Sequence, residues 1–212
     1  MRVLTPSLLI AALLLPMPVA ASGGSSSSET TPAQTPEQLA AEYYDRGLKF
    51  RDKAWELEKR LEGNGKAAKL QSKIEGQWNK AVGAYREAID NDPTMHQAHS
   101  SLGYAYRKLG RYEESLGAYN RALELEPTYV EAIEYRAEAY LGLGRLEDAK
   151  AAYVELFGMD REQADILMTA MREWIEKQES SEEVDEFSAW VEERSETAGQ
   201  TAMLIQSQGR SW

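Results

Sequence analysis

Residues 96–129, HQAHSSLGYAYRKLGRYEESLGAYNRALELEPTY, recur in pattern as residues 130–163, VEAIEYRAEAYLGLGRLEDAKAAYVELFGMDREQ. At a constant offset of 34, Gly110 aligns with Gly144, Tyr119 aligns with Tyr153, and small residues align with small residues. A fixed period of this length predicts stacked units, each of which buries its apolar face only against its neighbours. The period therefore predicts a repeat architecture.

This pattern of small residues, a tyrosine and a glycine at fixed places resembles the tetratricopeptide repeat family, in an exported bacterial form. The family's unit is a helix, a tight turn and a second helix, so the resemblance implies an all-α helical solenoid of about three units. Gly103 is expected to let the two helices of its unit approach, and Tyr119 to fill a gap between units. Pro127 is expected to end a second helix.

The first unit, residues 37–95, departs from the period. Tyr85 and Pro93 occupy the places of Tyr119 and Pro127 one repeat earlier, but the matching first-helix residues lie further upstream, at Tyr43, Gly47 and Phe50. About twenty residues are thus inserted between the two halves. Apolar residues with alternating three-and-four spacing flank Gly63-Asn64-Gly65, which predicts an extended, coiled-coil-like helical hairpin.

Two capping helices are predicted over residues 164–196, after the repeats 96–129 and 130–163. Asp160 to Gln163 has the pattern of a capping box, and Ser180 to Glu183 repeats it before a second apolar run. These helices would cover the last exposed face of the solenoid. Residues 197–212 keep no sustained period and are expected to form a frayed tail.

The N-terminus has the layout of a secretory signal peptide over residues 1–21. Arg2 precedes an apolar run, and Val19 and Ala21 hold the small-residue positions before a cut after Ala21. Residues 22–36 are expected to form a flexible Ser/Gly/Pro-rich leader. We therefore expect a periplasmic or secreted protein; the alternative is an inner-membrane anchor formed by an uncleaved signal. The absence of cysteine favours a bacterial periplasm over a disulfide-rich secreted domain.

The amino-acid composition argues against several classes of partner and activity. A formal net charge of −11 disfavours nucleic acid and anionic membrane surfaces as partners, so membrane contact is expected only through partner proteins. The chain has no cysteine and no phosphate loop, nucleophile elbow or metalloprotease motif, so we predict neither enzyme activity nor a cofactor. His96 and His99 have a spacing that a metal site can use, but a packing role for His99 is favoured.

The family resemblance implies a concave groove, lined by first helices, that holds a peptide or a partner helix. The expected groove residues are Tyr44, Leu48, Arg51 and Asp52 in the first unit, Gln97, Ser100, Tyr104, Arg107 and Lys108 in the second, and Glu131, Glu134, Glu138 and Leu141 in the third. One branch of the family clamps a chaperone's C-terminal carboxylate with Lys and Asn at the positions held here by Ser100 and Tyr104, so that specificity is not expected.

The three groove glutamates share one helix strip, and two interpretations of this strip stay open. One is a solvated face; the other is an acidic wall facing Arg107 and Lys108, which would orient a ligand with opposite charges at its ends. In both, the glutamates are expected to face solvent. Function is likewise left with two hypotheses: a cell-envelope adaptor of unknown partner, or an oligomerising structural subunit that uses the hairpin of residues 37–91 as its interface.

Overall fold

In a computed structural model, the chain is described over residues 34–61 and 67–208, with side chains over 34–61 and 68–200. The described residues form eight α-helices: α1 (Pro36–Leu61), α2 (Ala67–Asn91), α3 (His96–Lys108), α4 (Tyr112–Leu125), α5 (Val130–Gly142), α6 (Leu146–Met159), α7 (Arg161–Ile175) and α8 (Glu182–Gln208). No strand occurs in these residues, so the predicted all-α class is confirmed. The predicted signal peptide, residues 22–33 of the leader and the Gly63-Asn64-Gly65 turn lie outside them.

Consecutive helices pack in pairs to form a succession of units: α1 with α2, α3 with α4, and α5 with α6. In addition, α3 contacts α5 and α5 contacts α7, so first helices stack on first helices along the molecule. This arrangement is the helical solenoid that the 34-residue period predicted. None of the described helices combines the length and hydropathy needed to cross a membrane.

The first unit is the long hairpin expected from the insertion. Helix α1 has 26 residues and α2 has 25, so α1 is about 39 Å long at 1.5 Å per residue. Ala54 and Ala81 are fully buried between the two helices. Near the far end, the Trp78 indole N–H donates to a Glu58 carboxylate oxygen at 2.9 Å. The two helices of the hairpin are therefore in contact along their length, and their apolar cluster continues into α3 and α4.

Two glycines make the tight turns between paired helices possible. Gly110 and Gly144 have φ values of +72° and +68°, a left-handed conformation that a side chain would strain. In each turn the next residue's N–H returns to the preceding helix, from Arg111 to the Tyr106 carbonyl and from Arg145 to the Tyr140 carbonyl, both at 2.9 Å. This bonding satisfies carbonyls that the end of a helix leaves unpaired.

Close contact between a first-helix glycine and a second-helix tyrosine holds the unit together. A Cβ on Gly103 would lie 2.7 Å from the Tyr119 ring, and one on Gly47 would lie 2.3 Å from the Tyr85 ring. Both tyrosines are at most 1% exposed. Recurrence of the contact in the hairpin shows that Gly47 is the structural equivalent of Gly103, as the upstream match predicted.

The C-terminal helices begin slightly differently from the capping-box predictions. The Asp160 side chain caps α7 by accepting from the N–H groups of Glu162 and Gln163, at 2.9 and 3.1 Å. The Asp160 N–H donates to the Leu156 carbonyl, so it is not free for a return bond from the Gln163 side chain. At α8, Ser181 rather than Ser180 accepts from the Val184 N–H, because Ser180 bonds the Asp185 carboxylate.

Helix α8 extends to Gln208, past residue 196 where the pattern predicted the start of a tail. The buried part of α8 ends earlier: Phe187 and Val191 are at most 2% exposed and pack on the core under α5, α6 and α7. Beyond them the described side chains are mostly exposed up to residue 200. The missing apolar period therefore marked where α8 leaves the core, not where the helix ends.

Candidate binding groove

The first helices α1, α3 and α5 line a groove that contains a small cleft of about 130 Å³. We call this cleft the aromatic pocket. It is lined by Tyr44, Arg51, Trp55, Tyr85, Ser100, Ser101, Tyr104, Tyr129, Glu131 and Tyr135. At about 30 Å³ per water molecule, the pocket has room for about four waters. It is thus smaller than the roughly 300–1,000 Å³ typical of a cofactor or small-molecule site.

The walls of the aromatic pocket are rings fixed against one another. Tyr104 packs edge-on against Trp55 with ring centroids 6.0 Å apart, and against Tyr135 at 5.1 Å. The Trp55 indole N–H donates to the Tyr104 hydroxyl oxygen at 3.3 Å. Because these rings come from α1, α3 and α5, their shape depends on the stacking of all three units.

Three hydroxyl groups and one arginine bring polarity to the pocket. The Ser101 hydroxyl donates to the Tyr44 hydroxyl oxygen at 3.4 Å. Tyr85 is 1% exposed, yet its hydroxyl has no hydrogen-bond partner among the described residues. Burial raises the pKa of Tyr85 above its ordinary value, so it stays neutral. Arg51 lies over the Trp55 ring at 4.4 Å and pairs with Asp52 at 2.8 Å.

Glu131 supplies the pocket's carboxylate. It is half-buried at the start of α5. Among the described part of the chain, none of the ion pairs or side-chain hydrogen bonds involves it, whereas Arg51 beside it is already paired. Its charge is therefore the one in the pocket that the protein leaves unmatched.

A buried charged network lies next to the pocket, one turn further along α5. Arg107 pairs with Glu138 and stacks on Tyr104 and Tyr135, with its guanidinium carbon 5.0 and 5.6 Å from the ring centroids. Glu134 is 2% exposed beside them. Burial and the neighbouring charge of Glu138 raise the pKa of Glu134 to about 8, and Glu138 accepts its hydrogen bond. Glu134 is thus largely protonated at neutral pH.

The structure brings several of the predicted groove residues together in the pocket: Tyr44, Arg51, Ser100, Tyr104 and Glu131. Gln97 is exposed at the start of α3 and Asp52 is exposed on α1, both outside the pocket lining. Leu48 packs on the core of the first two units, and Leu141 is buried in the C-terminal core. These two leucines therefore stabilise the units and do not face the groove.

The expected separation of charges across the groove is wrong. Arg107 pairs directly with Glu138, and Lys108 pairs with Glu58 at 3.0 Å, so neither basic residue is free to face an acidic wall. The expectation that all three glutamates face solvent is also wrong, because Glu134 is buried. The helix spacing was right, but the middle glutamate lies on the buried side of α5, next to Glu138 and Arg107.

Sequence reasoning missed four aromatic residues of the pocket: Trp55, Tyr85, Tyr129 and Tyr135. Two of them follow from helix geometry, since Trp55 lies four residues after Arg51 and Tyr135 four residues after Glu131, on the same helix faces. Tyr85 was recognised only as the repeat's packing tyrosine, and its hydroxyl reaches the pocket because Gly47 leaves room for the ring.

The two histidines have packing roles. His99 is 8% exposed and its Nε2 lies 3.0 Å from the Pro93 carbonyl oxygen. His96 packs edge-on against Tyr129 at 5.1 Å. In the described ranges, no cluster of three or more His, Cys, Asp or Glu side chains has the geometry to hold a metal ion.

Comparison with known protein families gives three matches. Two sequence models described as tetratricopeptide repeat match residues 96–129 and 118–151, and one described as TPR repeat matches residues 73–110. The matched residues run from within α2 into α6 and include the first of the two aligned repeats and the second up to residue 151. A comparison with curated proteins gives no significant match.

Solved structures with similar folds include three helical repeat domains. The first TPR of Spaghetti (RPAP3), bound to HSP90 peptide SRMEEVD, matches with a TM-score of 0.51 and 20% identity over 65% of this chain and 94% of that one. The Arabidopsis OM64 TPR domain matches with a TM-score of 0.51 and 17% identity, over 65% of this chain and 98% of that domain. The second TPR domain of human RPAP3, in complex with HSP70 peptide SGPTIEEVD, matches with a TM-score of 0.50 and 23% identity, over 63% of this chain and 95% of that domain. At these identities the likeness concerns the fold.

Proposed function

Because the chain is a tetratricopeptide-repeat protein, we propose that it is a non-catalytic adaptor that binds a peptide or a partner helix in the groove between α1, α3 and α5. The observation that carries this proposal is the aromatic pocket, where side chains of three stacked units converge on one cleft. Its volume suits one side chain of a partner rather than a cofactor. Rigid rings with a few fixed polar groups are typical of surfaces that anchor a partner residue.

Peptide binding by similar folds supports a peptide-binding groove, but it does not support the same peptide specificity. Two of the similar domains hold peptides that end in Glu-Glu-Val-Asp. In this chain the two positions hold Ser100, which is buried, and Tyr104, which packs between aromatic rings. Because neither side chain is a cation, neither can pair with a peptide carboxylate. We therefore propose a partner segment that differs in charge from those peptides.

The alternative, an oligomerising subunit with the hairpin as its interface, has less support. Four of the hairpin's leucines pack against the core that the hairpin shares with α3 and α4: Leu48, Leu57, Leu61 and Leu70. The large apolar side chains that are exposed in the described part of the chain, Val154, Met159 and Ile166, lie on α6 and α7. The described part of the hairpin, which excludes residues 62–67, thus exposes no large apolar side chain of the kind that a stable interface needs.

We further propose that the adaptor acts in the bacterial cell envelope, as a periplasmic or secreted protein released by signal-peptide cleavage. The basis is the basic start, the apolar run and the small residues before Ser22. We expect the intact mass of protein from the soluble periplasmic fraction to correspond to a chain that begins at Ser22. Recovery of the full-length chain from the membrane fraction would contradict this location and favour the anchored alternative.

Selection from a displayed random-peptide library tests the adaptor function. Ser101 lines the pocket, so Ser101→Trp should fill it, whereas Ser72→Trp places the same change on an exposed part of α2 outside the pocket. We expect the wild-type protein and Ser72→Trp to retain the same peptides and Ser101→Trp to lose most of them. Circular dichroism checks that both variants fold. Equal retention by all three proteins would contradict the proposal.

A further inference from the structure

We propose that the aromatic pocket is a subsite for one cationic side chain of the partner, a lysine or an arginine. This inference rests on the adaptor function and adds the chemistry of the ligand. It commits to a basic segment of a partner protein, as opposed to an acidic or a purely apolar one.

The charge balance of the pocket is the first argument. Each cation of the groove already has its own carboxylate: Arg51 pairs with Asp52, Arg107 with Glu138, and Lys108 with Glu58. Glu131 lines the pocket and takes part in none of the described ion pairs. One negative charge therefore remains for a ligand, and it favours a cation and repels a carboxylate.

The rings are the second argument, because an aromatic face attracts a cation within about 6 Å of its centroid. The pocket's own rings show this preference inside the protein. Arg51 lies over Trp55, and Arg107 lies over both Tyr104 and Tyr135. An ammonium or guanidinium group entering between Trp55, Tyr104 and Tyr135 would meet the same ring system together with the Glu131 carboxylate.

The third argument is Tyr85, a pocket residue whose buried hydroxyl meets the geometry of a hydrogen bond with none of the described residues, the nearby Ser101 included. A buried polar group without a hydrogen bond carries an unfavourable free energy that a ligand can remove. An N–H of a lysine or arginine side chain can donate to the Tyr85 hydroxyl oxygen while its charge is matched by Glu131. An apolar side chain of the same size can supply neither interaction.

Size is consistent with a single residue. The cleft of about 130 Å³ holds about four waters at roughly 30 Å³ each. One long unbranched side chain fills such a space, with its methylene stem along the rings and its charged end at Glu131 and Tyr85.

Synthetic peptides with one fixed residue test the inference. We would use capped hexapeptide pools in which the third residue is Lys, Arg, norleucine or Glu and every other residue is neutral. Binding is followed by the NMR signal of the Trp55 indole N–H, assigned with Trp55→Phe. We expect the Lys and Arg pools to bind about tenfold more tightly than the norleucine pool, and the Glu pool to bind most weakly.

Two variants separate charge from shape. Glu131→Gln should remove most of the preference for Lys and Arg while leaving the norleucine pool unchanged. Glu113→Gln makes the same change on exposed α4, outside the pocket, and should leave every pool unchanged. Tyr85→Phe should fold normally and weaken only the Lys and Arg pools, since it removes a hydroxyl that makes no geometrically satisfied hydrogen bond with the described residues.

The outcomes distinguish this inference from the adaptor function. If all pools shift the Trp55 signal with equal affinity, or the Glu pool binds best, the cation subsite is overturned and the groove function stands. If no pool shifts the signal, both are overturned. A preference for Lys and Arg that survives in Glu131→Gln also overturns the proposed subsite.

Discussion

Tyr119→Ala is expected to lower the free energy of unfolding by about 3–5 kcal/mol, because truncating a buried aromatic side chain leaves a cavity. Tyr119 is fully buried and its ring packs on the backbone of Gly103 and beside Tyr135, with centroids 6.3 Å apart. The ring thus joins the two helices of its unit and the first helix of the next. Urea denaturation followed by circular dichroism measures the loss.

Glu124→Ala on the same helix is the control. The Glu124 side chain is 64% exposed, and its ion pair with Arg121 is a surface contact within α4. We expect the free energy of unfolding of the Glu124→Ala variant to stay within about 0.5 kcal/mol of wild type. If Tyr119→Ala denatured at the wild-type midpoint, the repeat register and the packing described above would be wrong.

Glu134→Gln is expected to stabilise the protein at alkaline pH, by about 2–4 kcal/mol at pH 9. In the folded state the pKa of Glu134 is raised from 4.5 to about 8, by burial first and by Glu138 second. The contribution of Glu134 to the free energy of unfolding is therefore fully present below pH 4.5, where the group is protonated in both the folded and the unfolded state. This contribution is lost as pH rises through about 8. Glutamine keeps the neutral form and its donor to Glu138 at every pH.

Denaturation midpoints of wild type and Glu134→Gln, measured from pH 4 to pH 9, check this prediction. The two curves should coincide near pH 4 and separate progressively up to pH 9. The exposed substitution Glu124→Gln should run parallel to wild type throughout. A Glu134→Gln variant that is less stable than wild type at pH 9 would mean that the ionised carboxylate is favoured in the fold, paired with Arg107.

The repeat register could be predicted from the sequence because the same physical need recurs every 34 residues. A close helix approach requires a small residue at Gly103 and a ring at Tyr119, and the left-handed turn requires glycine at Gly110 and Gly144. The hairpin followed from the same logic, since Gly47 and Tyr85 preserve that contact across the insertion. Local geometry alone decides these features.

The charges of the groove could not be predicted in the same way. Helix spacing placed Glu131, Glu134 and Glu138 on one strip, but their environments depend on how α5 packs against α3. The guanidinium of Arg107 pairs with Glu138, Glu134 is buried, and Glu131 takes part in none of the described ion pairs. Three glutamates with the same spacing thus become a buried acid, an ion-pair partner and a free carboxylate. Only tertiary contacts distinguish them.

Binding in the groove between α1, α3 and α5 is the central claim, and chemical-shift mapping with a peptide from the display selection tests it most directly. We expect the largest changes at Tyr44, Trp55, Tyr104 and Tyr135, with the Trp55 indole among them and little change on the outer helices α4 and α6. Changes confined to α4, α6 or α8 would contradict the claim.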